Sequence, residues 1–189
     1  MPNWCYTNYM FEGDKEEIKD LYDKLKSLEE MEKPILENGF GMNWLGCVVH
    51  LFGGNWKEIN CRGDFTNLEL LDKNTIEFHT ETAWGDMPEV WDFVLKKYNS
   101  ISYYFYAEEC GVNYYATNDS QGKYFPERFI VEQFEDGTEY FQNESDLFGY
   151  IASITGKPVC NNEEMNSAIE IFNSENEDNA IYVNEISCS

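Results

Sequence analysis

Between Trp4 and Ala107 two hydrophobic periods alternate, and their order leaves few topologies open. Residues 4–11 are aromatic-rich and read as a strand. Asp14 and Glu17 then supply a D-x-x-E start, a variant of the capping box. After it Ile18, Leu21, Tyr22, Leu25 and Leu28 recur at helical spacing, which predicts a helix over 15–31, with Pro34 just past its end. Residues 59–66 read as a weak strand. Over 75–83, Ile76, Phe78 and Thr80 alternate with Glu77, His79 and Glu81. The first set is expected to face a helix layer, the second water or another sheet surface. Asp86 is placed to cap a second helix with Pro88 in its first turn, and Val90, Trp91, Val94, Leu95 and Tyr98 form its buried stripe. Residues 101–107 complete a fourth strand. The order β-α-β-β-α-β predicts an α+β protein with a ferredoxin-like, split βαβ antiparallel sheet, its helices on one face and its first and third strands central.

Two stretches fall outside that pattern. Residues 35–58 form a long, glycine-punctuated insertion in which Cys47–Phe52 is expected as a short strand or a buried turn. A connection of this length inside a compact domain is often functional. Downstream, 112–117, 124–134 and 139–142 read as strands that extend the sheet, the last two joined through Glu135-Asp136-Gly137-Thr138. Its Asp-Gly pair is a strong hairpin signal. A third helix is predicted over 144–155, ended by Gly156 and Pro158, then a short helix over 163–172 and a strand over 181–186. The expected organisation is a domain over 1–135 with the inserted loop 35–58, and an acidic extension over 136–189 packed on the same domain.

Charge narrows the partners. The net charge is −23, and from Glu132 onward 13 acidic residues face a single basic one, Lys157. Affinity for nucleic acid rests mostly on cationic contacts to phosphates, so direct nucleic-acid binding is not expected, and anionic membrane surfaces are disfavoured too. A strongly acidic surface suits solubility, cation attraction or a basic protein partner. No apolar run approaches the roughly 20 residues that span a bilayer. Six cysteines show no C-x-x-C or zinc-like spacing, and Met1 is followed directly by Pro2-Asn3-Trp4 with no leader pattern. Reduced thiols in the cytoplasm are the expectation.

Several short motifs resemble one family. The opening Met1-Pro2-Asn3-Trp4-Cys5, the segment Asn55-Trp56-Lys57 before the second strand, Thr82-Ala83-Trp84 followed by Pro88, Lys97-Tyr98 ahead of the fourth strand, and Gly111 resemble the YubB-like ferredoxin-fold proteins of plasmids and phages. The resemblance covers residues 1–135. It implies a ferredoxin-like topology, without any iron–sulfur cluster, and carriage on mobile elements. It brings no established activity, so it assigns no catalytic residue. The sequence departs from the family pattern over 44–54, where more Trp and Arg are expected, and its acidic C-terminal part looks particular to this branch.

Weighed singly, most reactive residues have ordinary explanations. His79, flanked by Glu77 and Glu81, spaces three side chains over about 13 Å of strand, too far for one metal ion. His50, beside Val48, Val49 and Leu51, reads as a packing residue. Cys110 follows two glutamates, which oppose thiolate formation, and Cys5 reads as core. Glu108-Glu109 and Glu135-Asp136 are carboxylate pairs of the kind that chance supplies among 36 acids. Asn118-Asp119-Ser120-Gln121-Gly122 only faintly echoes a calcium loop and reads as a turn. The glycines form neither a G-x-G-x-x-G nor a P-loop pattern. Tyr103, Tyr104, Phe105, Tyr106, Tyr114 and Tyr115 fall on neighbouring strands, where cross-strand packing is the plain reading. Exposed aromatics there would suit a protein surface.

Two functions follow as expectations. The first is a non-catalytic accessory protein of a mobile element that binds a protein partner, with rows of carboxylates that imitate nucleic acid toward a basic partner as its sharper form. The second is a small-molecule binder or enzyme with a pocket between the 35–58 loop and the sheet, which Trp44, His50, Trp56 and Trp84 would line. His79, Tyr104 and Tyr106 complete the candidate surface. No cofactor and no metal are expected.

Overall fold

The structure, a computed structural model, describes residues 3–133 and 137–188. The chain is α+β and divides into two compact units, residues 1–119 and 120–189.

Unit 1 runs β1 (Trp4–Glu12), α1 (Lys15–Glu29), α2 (Leu45–Leu51), β2 (Gly63–Leu70), β3 (Thr75–Ala83), α3 (Pro88–Leu95), β4 (Ser102–Glu109) and β5 (Tyr114–Thr117). Its strands lie in the order β2-β3-β1-β4-β5, each antiparallel to its neighbours. β1 and β3 each have a neighbour on both sides, as the order of elements predicts. Along them odd-numbered positions of β1 pair with even-numbered ones of β3: Cys5 with Thr82, Thr7 with Thr80, Tyr9 with Phe78, Phe11 with Ile76. All eight are buried. Cys5, Tyr9, Phe11, Ile76 and Phe78 join Ile18, Leu21, Leu25 and Leu28 of α1 and Val90, Trp91 and Val94 of α3 in one hydrophobic cluster. The other face carries Tyr6, Asn8, Glu77, His79 and Glu81, exposed or half-buried.

The predicted caps resolve differently. The Asp14 side chain makes no cap bond to α1. Ser100 takes that place: its Oγ accepts the Asp14 amide at 2.8 Å and donates to Glu17 at 2.7 Å. Glu17 also accepts the amides of Asn99 and Ser100, and these bonds, Ser100 hydroxyl foremost, hold its carboxyl below the usual range. A pair that looks like a local cap is thus a bond between the start of α1 and the turn before β4. Asp86 does not cap α3 either: Met87 occupies that position, and Asp86 accepts the Tyr114 hydroxyl at 2.7 Å. Pro88 at the start of α3 removes one of the amides that a cap would serve.

Residues 45–51 form a helix rather than the expected strand or turn. Leu45 to Val49 are buried all round, and an apolar run that is buried on every side shows no period from which to tell helix from strand. Gly46 is required there: a Cβ would collide with the ring of Trp44. The weak strand read at 59–66 begins later and runs to Leu70, with a bulge between Thr66 and Glu69.

Unit 2 holds β6 (Phe129–Gln133), β7 (Gly137–Phe141), α4 (Glu144–Thr155), α5 (Asn162–Glu175), β8 (Ile181–Glu185) and a short β9 (Ser187–Cys188). β6, β7 and β8 do not extend the first sheet. They form a three-stranded antiparallel sheet of their own in the order β7-β6-β8. By contacts the chain divides between residues 119 and 120, and the ladder partners of β6 lie in the second unit. Glu135 and Asp136 of the predicted turn lie outside the described residues, while the strands that they join pair with Gln133 opposite Gly137. Asn143 and Asn161 cap α4 and α5 by accepting the amides of Asp146 and Glu164, and Gly156 ends α4 in the left-handed region. Val131, Leu147, Ile151, Val159, Met165, Ala168 and Ile181 form the core.

Candidate functional site

A concavity of unit 1, about 870 Å³, opens at the end of the sheet where β1 starts, β2 starts and β3 stops. That size falls within the range of about 300–1,000 Å³ usual for small-molecule sites. Its walls include Trp4, Phe40, Trp44, Trp56 and Trp84. The chain has five tryptophans. Four line this cleft, and the fifth, Trp91, is sealed in the core.

Each wall is fixed by local bonding. Trp44 is the buried floor. Its indole Nε1 donates to the Cys61 carbonyl at 2.8 Å, and its ring lies 5.4 Å from Phe40 and 5.1 Å, edge-on, from Trp56. Residues 43 and 44 are tied to the edge of β2: the Phe65 amide donates to Asn43 O at 3.0 Å, Asn43 Nδ2 returns to Phe65 O at 3.1 Å, and Trp44 bridges Asp64. On the opposite wall Trp4 pairs with Ala83 across β1 and β3. The Trp84 amide donates to Asn3 O at 2.9 Å, and the Ala83 amide to Arg62 O at 2.8 Å. Trp84 is 61% exposed and sits at φ 75°. For so bulky a residue this left-handed backbone costs about 1–3 kcal/mol, and such strain persists only where neighbouring bonds over-determine it.

The polar lining holds two acids, Glu58 and Asp64, two bases, Lys57 and Arg62, and Asn60; Glu58 accepts the Asn55 side-chain amide at 2.7 Å. Asp64 presents a carboxylate whose Oδ1 is buried without a hydrogen-bond partner. Burial first, and then Glu81 opposite it on β3, raise its carboxyl above the usual aspartate range. Lys57 and Arg62 stand at the rim, both exposed. The Lys57 ammonium lies 5.5 Å from the Trp56 ring centroid. Among the described residues no carboxylate forms an ion pair with either cation.

Of the residues singled out in the sequence, Trp44, Trp56 and Trp84 meet in this cleft, and the other four do not. His50 is exposed near the end of α2 rather than packed, because the helical period turns it outward while Val48 and Val49 turn in. His79 lies on the outer sheet face with its Nε2 4.0 Å from Glu77. Tyr104 and Tyr106 share that face, donating to Glu12 at 3.1 Å and Glu108 at 2.9 Å, while Tyr103 and Phe105 turn into the core. Asn118 continues the sheet edge with its side chain, bonding Phe105 N and Tyr103 O. Trp4, Phe40, Lys57, Arg62 and Asp64 escaped the reading. Trp4 had a usable signal, since strand alternation sets it on the face opposite Cys5; Asp64 and Arg62 had none before β2 was placed.

The thiols are free, with Cys5, Cys47 and Cys61 buried and Cys110, Cys160 and Cys188 exposed. Burial pushes the Cys5 thiol up to about 11. Among the described residues no three His, Cys, Asp or Glu side chains gather as a metal site, and no helix is long and apolar enough to cross a membrane. No protein-family model matches the chain, and no curated protein or solved structure matches it.

Proposed function

We propose that unit 1 is a ligand-binding domain whose site is the tryptophan cleft. The observation that carries this reading is the distribution of the tryptophans, four of five around one cavity. Apolar side chains gain roughly 25 cal/mol per Å² by leaving water. A chain that places its largest rings in the open, one of them on strained backbone, gives up stability that a bound ligand restores.

Unit 1 is read here as ferredoxin-like, since β2-β3-β1-β4 with crossovers through α1 and α3 is the order that this topology requires. It is also read as a YubB-like domain. Asn3-Trp4-Cys5, Asn55-Trp56-Lys57 and Thr82-Ala83-Trp84, three of the segments that suggest the resemblance, all contribute residues to the cleft. Six free thiols suit a reducing cytoplasm.

A second reading, docking of a basic protein, draws on the outer face of the sheet. Glu69 lies opposite Glu77 and Asp64 opposite Glu81. Like charges directly opposite each other destabilise a sheet, and a cationic partner would relieve them.

The five indole N–H signals in a two-dimensional NMR spectrum separate the two readings. A ligand of the cleft shifts Trp4, Trp44, Trp56 and Trp84 and leaves Trp91 in place. A small-molecule library in which no compound moves the cleft signals, or in which hits survive Trp56→Ala, overturns the cleft reading.

A further inference from the structure

Resting on the cleft as the binding site, we infer that its ligand is a nucleotide: one base stacked against the indoles and one phosphate held by Arg62 and Lys57. Three features of the cleft must be met together. Flat indole walls accept a planar ring or the face of a sugar. Asp64 is half-buried in the lining, with its Oδ1 closed off from water and without a donor, so its carboxylate keeps acceptor capacity for a ligand N–H. At the rim two cations, sharing the lining with Glu58 and Asp64, form no ion pair among the described residues, in a chain where acids outnumber bases 36 to 13. One of them, Arg62, is one of only two arginines, and a guanidinium fork matches phosphate geometry.

A quaternary ammonium satisfies the indoles but has no N–H for Asp64 and is repelled by Arg62 and Lys57. A neutral sugar satisfies the indoles and Asp64 and leaves both cations idle. A nucleotide meets all three: the ring stacks, an exocyclic amino or ring N–H of the base donates to Asp64, and the phosphate takes the cations. Arg62 and Asp64 are two residues apart on extended chain, so their Cα atoms lie about 7 Å apart, compatible with the reach between a base edge and its 5′-phosphate.

The same base and phosphate can come from a free nucleotide or from the end of a strand. The net charge of −23 repels a polyanion, which favours the free nucleotide. This recognition uses no glycine-rich loop, which is why sequence motifs for nucleotides do not reveal it.

The test is titration of the full chain with AMP, GMP, CMP and UMP, followed by tryptophan fluorescence and by the indole NMR signals. Adenosine, guanosine, inorganic phosphate, indole-3-acetamide and a single-stranded dT12 serve as parallel probes. At least one nucleotide is expected to bind and to shift the four cleft indoles, at least about tenfold more tightly than its nucleoside, since a charge-assisted phosphate contact is worth that much. Arg62→Gln should shrink the difference between nucleotide and nucleoside, and Arg62→Gln with Lys57→Gln should erase it. Trp56→Ala should weaken binding by about tenfold, the usual scale of base stacking. Asp64→Asn should change which base is preferred. If dT12 binds more tightly than any mononucleotide, the base and phosphate belong to a strand end; the reverse identifies the free nucleotide. Equal affinity for nucleotide and nucleoside in the unmodified protein overturns the proposal, as does the absence of any indole shift at millimolar nucleotide. Should indole-3-acetamide still move the four signals in that case, the nucleotide is wrong and the cleft stands. If it does not, the cleft reading falls as well.

Discussion

Trp91 and the four cleft tryptophans are one residue type with opposite fates. Trp91 is fully buried, 4.6 Å from Phe78 and 5.5 Å from both Tyr9 and Phe11. Its neighbours come from α3, β1 and β3, so its burial closes the sheet against the helices. Trp4, Trp56 and Trp84 line one cavity at the sheet end and stay open to water. The aromatic core is an end state of folding, whereas the cleft is an assembly held apart by backbone bonds that fix its walls before anything fills it. The difference separates residues that make the fold from residues that the fold makes available.

Breaking each side should give opposite signatures. Trp91→Ala is expected to destabilise unit 1 by about 3–5 kcal/mol, read from urea denaturation, since it leaves a large cavity in a packed core. A loss below about 1 kcal/mol would mean that the core does not depend on this ring. Gly46→Ala comes next, at about 1–3 kcal/mol, because its Cβ must displace the Trp44 ring. It should also disturb the indole signals of Trp44 and Trp56, which ordinary helix stabilisation by alanine would not do.

Trp84→Gly sharpens the contrast most. Glycine takes a positive φ without strain, so the variant should match or exceed the parent by up to about 1 kcal/mol while ligand affinity drops. A fall in stability would show that Trp84 is a packing residue after all.

The smallest effects are in pH dependence, where Asp64 and Glu17 run in opposite senses. Asp64 has a raised carboxyl, so its contribution is fully present below the ordinary aspartate pKa and is lost as pH rises through the folded value. Asp64→Asn should therefore flatten the stability curve just above pH 4 and stabilise the protein at neutral pH. Glu17 has a lowered carboxyl, so its contribution is present above the ordinary glutamate pKa and is lost as pH falls through the folded value. Glu17→Gln should lower the melting temperature at neutral pH and leave it unchanged at low pH. Thermal melts from pH 3 to 8 check both signs.

The two units also differ in how openly their sequences declare them. Glu144–Thr155 is read to the residue because every signal is local: Asn143 caps it, Leu147 and Ile151 face the core, and Gly156 ends it. In unit 1 the strands and the helices α1 and α3 are legible for the same reason, since alternation and helical spacing are properties of neighbouring residues. α2 is not, because an apolar run buried on every side has no pattern. The separation of β6 to β8 into a second sheet is not either, because a strand's period names its faces and never its partners.

Local sequence by itself determined the α+β class, the central pair β1 and β3, the faces that the alternating residues of β3 take, and the strong negative charge. Chain neighbours settle such properties through sterics and period. Only the tertiary structure decided that Trp4, Trp56 and Trp84 line one cavity, that Asp64 lies half-buried beside them with its Oδ1 lacking a donor, and that Glu17 reaches Ser100. Those contacts join residues tens of positions apart, and their existence depends on sheet order and on where the 35–58 insertion folds back. Packing sets both, and no short stretch of chain encodes either.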